Sequence, residues 1–418
     1  MSGIIVGLDI GTSYIRVVIG EVNAENNVEI IGVAKKPSQG LRNGVIVNID
    51  AAMTSIKETI EAAEQIAGVE VSAVYTAIGG AQAESLNSKG QIGVDQSGRG
   101  RSLEINENAK NRAIEAAKAV VIPLDKKLIH VIPQEYIIDG LTGYKNPVGM
   151  MGVRLEVQVH IVTASITAYS NIQQCIGRAG YLLNGVIMLK TLAASCATVH
   201  DDEMDLGSIL IDLGGGTTDV MVLNKGAPVF TTSIPVGGNL VTNDIAIVKG
   251  ISNSTAERIK LESGCCWNTG SEADEEVIIP GVGGRPPEQT TRYELCQIIQ
   301  PRMDEIFSMV KREVVRRANL TKLSGSIVLT GGGALMPGVV ELAQSVFGTT
   351  AVRIGESADL GGVDKSYRNA DFATVVGLVV ANKDKTEENH GRAKNAKHDE
   401  NAEKGKTGFF AQLKSKFF

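Results

Sequence analysis

The chain has 418 residues, of which 43% are hydrophobic, and a formal net charge of −6 at pH 7. That length exceeds what one hydrophobic core usually holds, so we expect two or more domains. The net negative charge disfavours a nucleic-acid-binding protein, and the five cysteines lack the spacing of zinc ligands. No apolar run reaches the roughly 20 residues that a transmembrane helix needs, which disfavours a transmembrane protein. The thiols indicate a reducing cytosol, and we expect no signal peptide, because the N-terminus begins with a strand pattern and no basic region.

The first predicted unit is an apolar strand that begins at Ile4, ends in Asp9 and returns after a tight turn along a second strand that carries Arg16. Glycine allows close backbone approach in such a turn, and its exposed N–H groups form a nest for an anion. On its own, an Asp-x-Gly-Thr turn is more often an ordinary hairpin. The turn residues that we predict to contact an anion are Gly11, Thr12 and Ser13.

The region that follows alternates between strand and helix patterns. His160 alternates with apolar residues of a predicted strand, so we interpret it as a structural rather than a catalytic histidine. The predicted elements of this region are the strand Ala73–Ile78, the helix Ile105–Val120, the strands Lys127–Ile138 and Val153–Thr163, and the helix Ile166–Ala179.

A second copy of the first unit lies about 200 residues later, where an apolar strand ends in Asp212. A third apolar strand, Ile327–Thr330, runs into three glycines that would let the backbone pack flat against a base or a ribose. Together the three turns predict two related domains that close on one nucleotide. The residues of the second and third turns that we predict to bind it are Gly214, Gly215, Gly216, Thr217, Thr218, Gly331, Gly332 and Gly333.

Charged residues of the two units suggest how the phosphates are neutralised. Asp9 and Asp212 would face each other and hold a hydrated Mg²⁺ through its water, since Mg²⁺ keeps most of its waters in proteins. Arg16 carries a permanent charge that could also meet a phosphate.

The end of the chain predicts a tethered membrane anchor. Residues 383–406 are polar, with alanine as their only apolar residue, so we expect a disordered linker. Residues 407–418 form an amphipathic helix without acidic residues, which is typical of a segment that lies in a membrane interface. The alternative is an ordinary helix docked on the body. The predicted lipid contacts are Phe409, Phe410, Leu413, Lys414, Lys416 and Phe417.

These motifs resemble the actin-like ATPase superfamily and, within it, the FtsA family of bacterial division proteins. Asp9–Thr12 and Asp212–Thr218 are similar to the two phosphate motifs, and Gly331–Gly333 to the adenosine motif. Gly237 and Gly238 are similar to the family's Gly-Gly turn. The resemblance implies ATP and Mg²⁺ as cofactors. It also implies that Glu257 and Lys260, which share a helix face, meet the ribose and adenine; a surface ion pair is the alternative.

The resemblance implies an α/β actin-like fold of two related domains around a nucleotide cleft, with an inserted subdomain 1C. The terminal anchor and the insertion select the FtsA family among actin-like proteins. The implied boundaries are 1–83 and 165–205 for subdomain 1A, 84–164 for 1C, 206–244 and 320–358 for 2A, 245–319 for 2B, 359–382 for the C-terminal part of 1A, 383–406 for the linker and 407–418 for the membrane helix.

One segment departs from many actin-like ATPases. They place a glutamate that orients the attacking water just before the helix predicted at Leu192–Val199, and here Lys190 stands near that position. Without such a group, hydrolysis should be slow. We therefore expect firm ATP binding and at most a slow ATPase.

The resemblance also implies partners. The family recruits the C-terminal tail of FtsZ to subdomain 2B, and the helix predicted at Arg292–Leu320 carries the candidate contacts Arg302, Ile306 and Phe307. A solvated helix face is the alternative. The implied function is an adaptor that forms filaments on the cytoplasmic face of the membrane, anchors FtsZ there, helps assemble the division septum and contacts later division proteins through subdomain 1C.

Two other functions are compatible with the superfamily. A sugar or carboxylate kinase would need a catalytic acid and would have no use for a membrane helix. A PilM-like pilus scaffold shares the fold and the insertion but normally lacks the terminal helix. A DnaK-type chaperone is disfavoured, because no substrate-binding β domain follows.

Overall fold

A computed structural model describes most of the chain as two α/β domains and an inserted lobe. The predicted membrane helix at 407–418 and all but the first two residues of the predicted linker lie outside the described residues. Among the helices that are described, none is long and apolar enough to cross a bilayer. The described residues are 3–97, 100–267, 270, 275–281, 283–284, 286–317, 325–362 and 365–384.

The first domain is built on a mixed sheet whose central strands are almost continuously apolar. β1 pairs antiparallel with β2 and parallel with β6, and β2 pairs with β3. Helices cover both faces of such a sheet, so its strands lack polar alternation. Helix α1 buries Ile56 and Ile60, which lie one turn apart. The first elements are β1 (Gly3–Ile10), β2 (Tyr14–Val22), β3 (Val28–Pro37), β4 (Leu41–Arg42), β5 (Val45–Ile46), α1 (Ile49–Ala67) and β6 (Ala73–Ile78).

The inserted lobe interrupts the first domain directly after β6. Its antiparallel sheet has the order β10-β9-β12-β7, and α2 packs on β7 and β12 around a separate apolar core. The predicted helix and strands of this region are confirmed, with ends that shift by one or two residues. The elements are β7 (Ala83–Gly93), β8 (Leu103–Glu104), α2 (Glu107–Lys118), β9 (Lys126–Ile138), β10 (Leu141–Tyr144), β11 (Met151–Gly152) and β12 (Arg154–Ser165).

The chain then returns to the first domain and completes its sheet. Both β13 and β14 pair parallel with β6. Because β14 runs straight into α4, Lys190 lies at the point where the strand becomes a helix. The elements are α3 (Ile166–Arg178), β13 (Leu182–Leu183), β14 (Met188–Leu189), α4 (Lys190–Thr198) and α5 (Asp201–Leu206).

The second domain repeats the topology of the first. Its sheet has the order β17-β16-β15-β20-β21, which matches β3-β2-β1-β6-β13 strand for strand. The predicted duplication is therefore present in the fold. The elements are β15 (Ser208–Leu213), β16 (Thr218–Asn224), β17 (Ala227–Ile234), α6 (Gly238–Lys249), α7 (Asn253–Ser263), β18 (Glu276–Ile279), β19 (Glu288–Thr291), α8 (Arg292–Arg317), β20 (Ile327–Thr330), α9 (Val339–Phe347) and β21 (Val352–Ile354).

The inserted lobe also contacts the second domain, through a polar seam against β17. Ser85 donates a hydrogen bond to the Thr231 carbonyl at 3.0 Å. Buried His160 lies between Asn87 Oδ1, 2.7 Å from its Nδ1, and Thr231 Oγ1, 3.1 Å from its Nε2. Burial lowers the pKa of His160 to about 4, so the ring is neutral at pH 7. The prediction of a structural histidine is confirmed, because both ring nitrogens have partners.

The last described helix, α10 (Ala373–Asn382), closes the first domain. It packs against α4 and β1 in the middle of the core. An ideal Cβ at Gly377 would lie 1.7 Å from the Ala193 carbonyl oxygen, so the two helix backbones are in direct contact. Only glycine permits this distance.

We expect Gly377→Ala to lower the free energy of unfolding by about 3 kcal/mol, because the added methyl group must push the two helix backbones apart. The matched control is Gly177→Ala on the exposed face of α3, where an ideal Cβ meets no atom within 4 Å. That change should be neutral or stabilising by up to about 1 kcal/mol. Urea unfolding of both variants measures the difference, and equal effects would contradict the backbone contact.

Candidate functional site

A cleft between the two domains brings the three glycine turns together. It encloses a cavity of about 300 Å³ at the carboxyl ends of β1, β15 and β20. Every residue that the sequence predicted to bind the nucleotide lines this cavity. They are Asp9, Gly11, Thr12, Ser13, Arg16, Asp212, Gly214, Gly215, Gly216, Thr217, Thr218, Gly237, Gly238, Glu257, Lys260, Gly331, Gly332 and Gly333.

The two phosphate-type turns face each other across the cleft at contact distance. An ideal Cβ at Gly215 would lie 2.1 Å from the Ser13 hydroxyl oxygen, so a larger residue here would have to displace that hydroxyl group. Ser13 also donates a hydrogen bond to Asn239 Oδ1 of the second domain at 3.2 Å. These contacts make each turn depend on the other domain.

The duplicated hairpins place charged residues at equivalent positions. Asp9 lies opposite Arg16 in the β1–β2 pair, and Asp212 lies opposite Asp219 in the β15–β16 pair. Asp219 accepts a hydrogen bond from the Gly80 N–H of the first domain at 3.0 Å. The sequence analysis missed Asp219, although its alignment with Arg16 within the repeat was a usable signal.

Burial is the dominant influence on the two acids of the second hairpin. It raises the pKa of Asp212 to about 6, against the lowering effect of the nearby Lys190 ammonium. Burial likewise raises the pKa of Asp219, and its hydrogen bonds and Lys190 oppose the change. Both carboxylates are therefore costly to ionise in the folded protein.

Lys190 supplies a positive charge to this group of acids. Its Nζ lies 3.1 Å from Asp9 Oδ1. Burial alone would lower the pKa of Lys190, but the charges of Asp9, Asp212 and Asp219 outweigh that effect and raise it. The sequence placed Lys190 near the nucleotide but did not predict its pairing with Asp9.

Arg16 is held by a partner that the sequence analysis missed. Its Nε and Nη2 donate to Asp371 Oδ2 at 3.2 and 2.9 Å, and its Nη1 is 3.8 Å from Asp9 Oδ2. Lys35 also pairs with Asp371, at 2.8 Å, and these cations overcome burial to hold the pKa of that carboxyl below its usual range. Arg16 thus lines the cleft as part of an ion pair with Asp371, and its contact with a phosphate stays a prediction.

Glu257 and Lys260 lie on the second-domain wall of the cleft. Lys260 Nζ is 2.7 Å from Glu257 Oε2, as the spacing of the two residues on α7 predicts. The ammonium also donates to Thr242 Oγ1 at 2.9 Å and to the Gly238 carbonyl at 3.2 Å. This cluster connects α7 to the Gly237-Gly238 turn, and the side chains of Glu257 and Lys260 line the cavity.

The acidic residues fit a hydrated metal better than a directly bound one. Within the part of the chain that the structure describes, no three His, Cys, Asp or Glu side chains converge as metal ligands. Asp9 and Asp212 do line one cavity, as an ion held through its own water requires.

The predicted FtsZ contacts are partly wrong. Ile306 and Phe307 have 1% and 0% of their surface exposed, so they belong to the core and cannot receive a tail on the outside. Arg302 is half-buried, with its Nε donating to Asp244 Oδ2 at 2.7 Å, and it also pairs with Glu305. The sequence predicted the helix α8 but not which of its faces is covered.

The predicted lipid contacts in the segment 407–418 lie outside the described residues. The loop 281–287 is described only in part.

Comparison with known proteins gives the family. A model described as "Cell division protein FtsA" matches residues 209–377, and one described as "SHS2 domain inserted in FTSA" matches residues 80–163. A cell division protein FtsA from Borreliella burgdorferi is 43% identical over 378 residues, or 90% of each chain. One from Pseudomonas aeruginosa is 39% identical over 90% of this chain and 88% of its own.

The chain belongs to the FtsA family. Its membership implies a role in cell division, and the inserted lobe corresponds to the family's SHS2 domain.

Solved structures confirm the actin-like fold of this FtsA family member. The PilM–PilN type IV pilus biogenesis complex aligns with a TM-score of 0.64 at 18% identity, over 90% of this chain and 97% of that one. MreB5 of Spiroplasma citri bound to ADP aligns with a TM-score of 0.54 at 15% identity, over 93% and 98% of the two chains. At such identities the likeness concerns the fold alone.

We expect Asp212→Asn to stabilise the nucleotide-free protein at pH 8. The folded protein raises the pKa of Asp212 to about 6 from 3.8, so ionisation of this group costs stability as pH rises through that window. The substitution should add up to about 3 kcal/mol at pH 8 and about half as much at pH 5.

Thermal unfolding at both pH values measures this effect as a change in Tm of a few degrees. The control is Asp205→Asn, which removes an exposed carboxylate paired with Lys145 and should change stability by less than about 1 kcal/mol. If Asp212→Asn does not raise Tm, or raises it equally at both pH values, the free-energy cost that we assign to burial of Asp212 is wrong.

Proposed function

We propose that the cleft binds ATP together with Mg²⁺ and that the chain is a membrane adaptor with a nucleotide-dependent state. The observation that carries the ATP proposal is the convergence of two duplicated phosphate-type turns and a third glycine turn on one cavity. The MreB5 structure, which shares the fold, was solved with ADP bound, and this supports a nucleotide in the equivalent cleft of our chain.

The geometry supports a definite orientation for the nucleotide. The backbone N–H groups of Thr12 and Ser13 and of Gly215 and Gly216 would receive the phosphates, since amide nests favour anions. The wall formed by Glu257 and Lys260 would contact the ribose and base, together with the turn at Gly331–Gly333, where a short 3₁₀ helix begins. Mg²⁺ would neutralise phosphate charge, and Asp9 and Asp212 would hold its water.

ATP turnover is proposed to be weak. Lys190 stands where many actin-like ATPases have a water-orienting glutamate, and its ammonium pairs with Asp9. A cation cannot accept a proton from the attacking water. The bound nucleotide would then act mainly as a conformational signal.

A cleft-filling substitution tests the ATP site. An ideal Cβ at Gly332 meets no protein atom closer than Arg16 Nη2, at 4.0 Å, so Gly332→Val adds its side chain to open cleft space. We expect ATP affinity, measured by titration calorimetry with Mg²⁺, to fall at least about tenfold while the melting temperature hardly changes. Gly177→Ala should bind as the unmodified chain does. Equal ATP affinities for all three proteins, or no heat of binding at all, would refute the proposal.

The adaptor role is proposed from family membership and from the sequence of the chain's end. We propose that the chain self-associates into filaments on the cytoplasmic face of the membrane at the division site, anchors FtsZ there through the lobe at 245–319 and contacts later division proteins through the inserted lobe. A double helical filament of MamK, with a TM-score of 0.50 at 12% identity, supports the compatibility of this fold with polymers.

Vesicle pelleting tests the anchor and the FtsZ link together. We expect the full chain to sediment with anionic vesicles and to carry FtsZ with it, while a chain ending at Lys406 leaves both in the supernatant. Apolar burial drives interfacial binding, and lysines add attraction to anionic lipid.

A chain of full length provides the matched control. It carries serine in place of the four apolar residues of the helix face and should behave like the truncated chain. Sedimentation of this control at the level of the full chain would contradict the anchor, and loss of FtsZ alone would contradict only the FtsZ link. The four substitutions are Phe409→Ser, Phe410→Ser, Leu413→Ser and Phe417→Ser.

A further inference from the structure

Lys190 occupies an unusual electrostatic position. It is the first residue of α4, where the positive end of the helix macrodipole opposes a cation. Its Nζ is nevertheless 3.1 Å from Asp9 Oδ1, with the lysine side chain 20% exposed and that of the aspartate 6% exposed. The acids around it, rather than its own helix, therefore stabilise the ammonium in this position.

The acids around Lys190 come from both domains. Asp9 lies near the end of strand β1 in the first domain, whereas Asp212 and Asp219 lie opposite each other on β15 and β16 of the second. All three carboxylates line the same cavity as Lys190. One ammonium thus lies among three carboxylates, two of which the other domain supplies.

The backbone of the first domain leaves a slot for the lysine stem. An ideal Cβ at Gly79 would lie 3.0 Å from Lys190 Cβ, 3.2 Å from Lys190 Cδ and 3.0 Å from Asp219 Oδ2. A side chain at this position would require the lysine stem or the carboxylate to shift by a few tenths of an ångström. The stem of Lys190 therefore lies against Gly79, close to Asp219 of the second domain.

A divalent cation in this cleft would need the same carboxylate oxygens. Mg²⁺ prefers carboxylates and water, and a lysine ammonium is likewise a compact, strongly hydrated charge that seeks them. The two cations would compete for the same carboxylates, and an ammonium attached to the chain is always present beside Asp9.

We propose that Lys190 is a tethered cation that occupies the metal position of the cleft. It keeps divalent ions weakly bound in the nucleotide-free chain and supplies part of the positive charge that Mg²⁺ would otherwise bring to a bound nucleotide. The effect on divalent ions concerns the nucleotide-free chain alone. The contribution of charge to a bound nucleotide rests on the proposed function.

A merely structural lysine would behave differently. Its removal would change the stability of the protein but not the affinity of the cleft for metal. If Lys190 instead excludes metal by its charge, its removal leaves Asp9 without an ion-pair partner and Asp212 and Asp219 without a nearby cation, so a hydrated divalent ion should bind in the cleft more tightly.

Titration of the nucleotide-free full chain with Mn²⁺, followed by electron paramagnetic resonance, separates these roles. Mn²⁺ shares the preference of Mg²⁺ for oxygen ligands. We expect Lys190→Met to bind Mn²⁺ at least about tenfold more tightly than the unmodified chain, and Lys190→Arg, which keeps the charge, to bind it weakly. Lys190→Gln serves as the uncharged variant if Lys190→Met does not fold.

Lys126→Met is the matched control, because Lys126 is 14% exposed and pairs with the single carboxylate of Glu84 at 2.9 Å outside the cleft. It should leave Mn²⁺ affinity unchanged. The proposal is overturned if the uncharged variants bind Mn²⁺ no more tightly than the unmodified chain, if Lys190→Arg matches them, or if Lys126→Met tightens binding equally.

ATP calorimetry with Mg²⁺ and with a chelator tests the contribution of charge to a bound nucleotide. Removal of Mg²⁺ should weaken ATP binding to the Lys190→Met variant at least about tenfold more than to the unmodified chain. An equal dependence on Mg²⁺ would overturn this part of the proposal. A chain that binds no ATP would refute the proposed function instead, and the Mn²⁺ result would still decide whether Lys190 occupies the metal position.

Discussion

The arrangement of the cleft depends on the compensation of buried charge. Asp9, Asp212, Asp219 and Asp371 are each almost completely buried, and an isolated buried carboxylate is strongly unfavourable. Arg16, Lys35 and Lys190 provide the compensating cations from segments that are far apart in sequence. Because some of these carboxylates and cations belong to different domains, the domains must remain close for the charges to be balanced. The same requirement that stabilises the fold therefore positions the site.

The two halves of the duplicated unit differ in charge in a way that polarises the cleft. In the first hairpin, Asp9 has a cation directly opposite in Arg16, which Asp371 orients in turn. In the second, the equivalent pair consists of two acids, Asp212 and Asp219. The second domain therefore carries the surplus of negative charge at the cleft. Its acids rely on the other domain for Lys190 and for the N–H group of Gly80.

The inserted lobe provides a further connection between the domains. It is covalently part of the first domain, yet Ser85, Asn87 and His160 contact β17 of the second. A change in the separation of the two domains must therefore alter these hydrogen bonds as well as the contacts between the glycine turns. In this member of the FtsA family, the inserted lobe therefore bridges the two domains that form the cleft.

The sequence by itself determined the local chemistry of this protein. Two strand patterns that end in Asp-x-Gly, about 200 residues apart, and a third glycine turn predicted two related domains and the turn residues that line the cleft, because apolar strands and glycine turns are specified by neighbouring residues. The other predicted lining residues, Gly237, Gly238, Glu257 and Lys260, followed from the family resemblance. Only the tertiary structure decided which charges meet. Asp371 is distant from Arg16 in the chain and belongs to no motif. Asp219 accepts a hydrogen bond from the facing domain, and Ile306 and Phe307 lie on the covered side of α8. Pairings of this kind depend on how separate segments pack, and no local pattern encodes them.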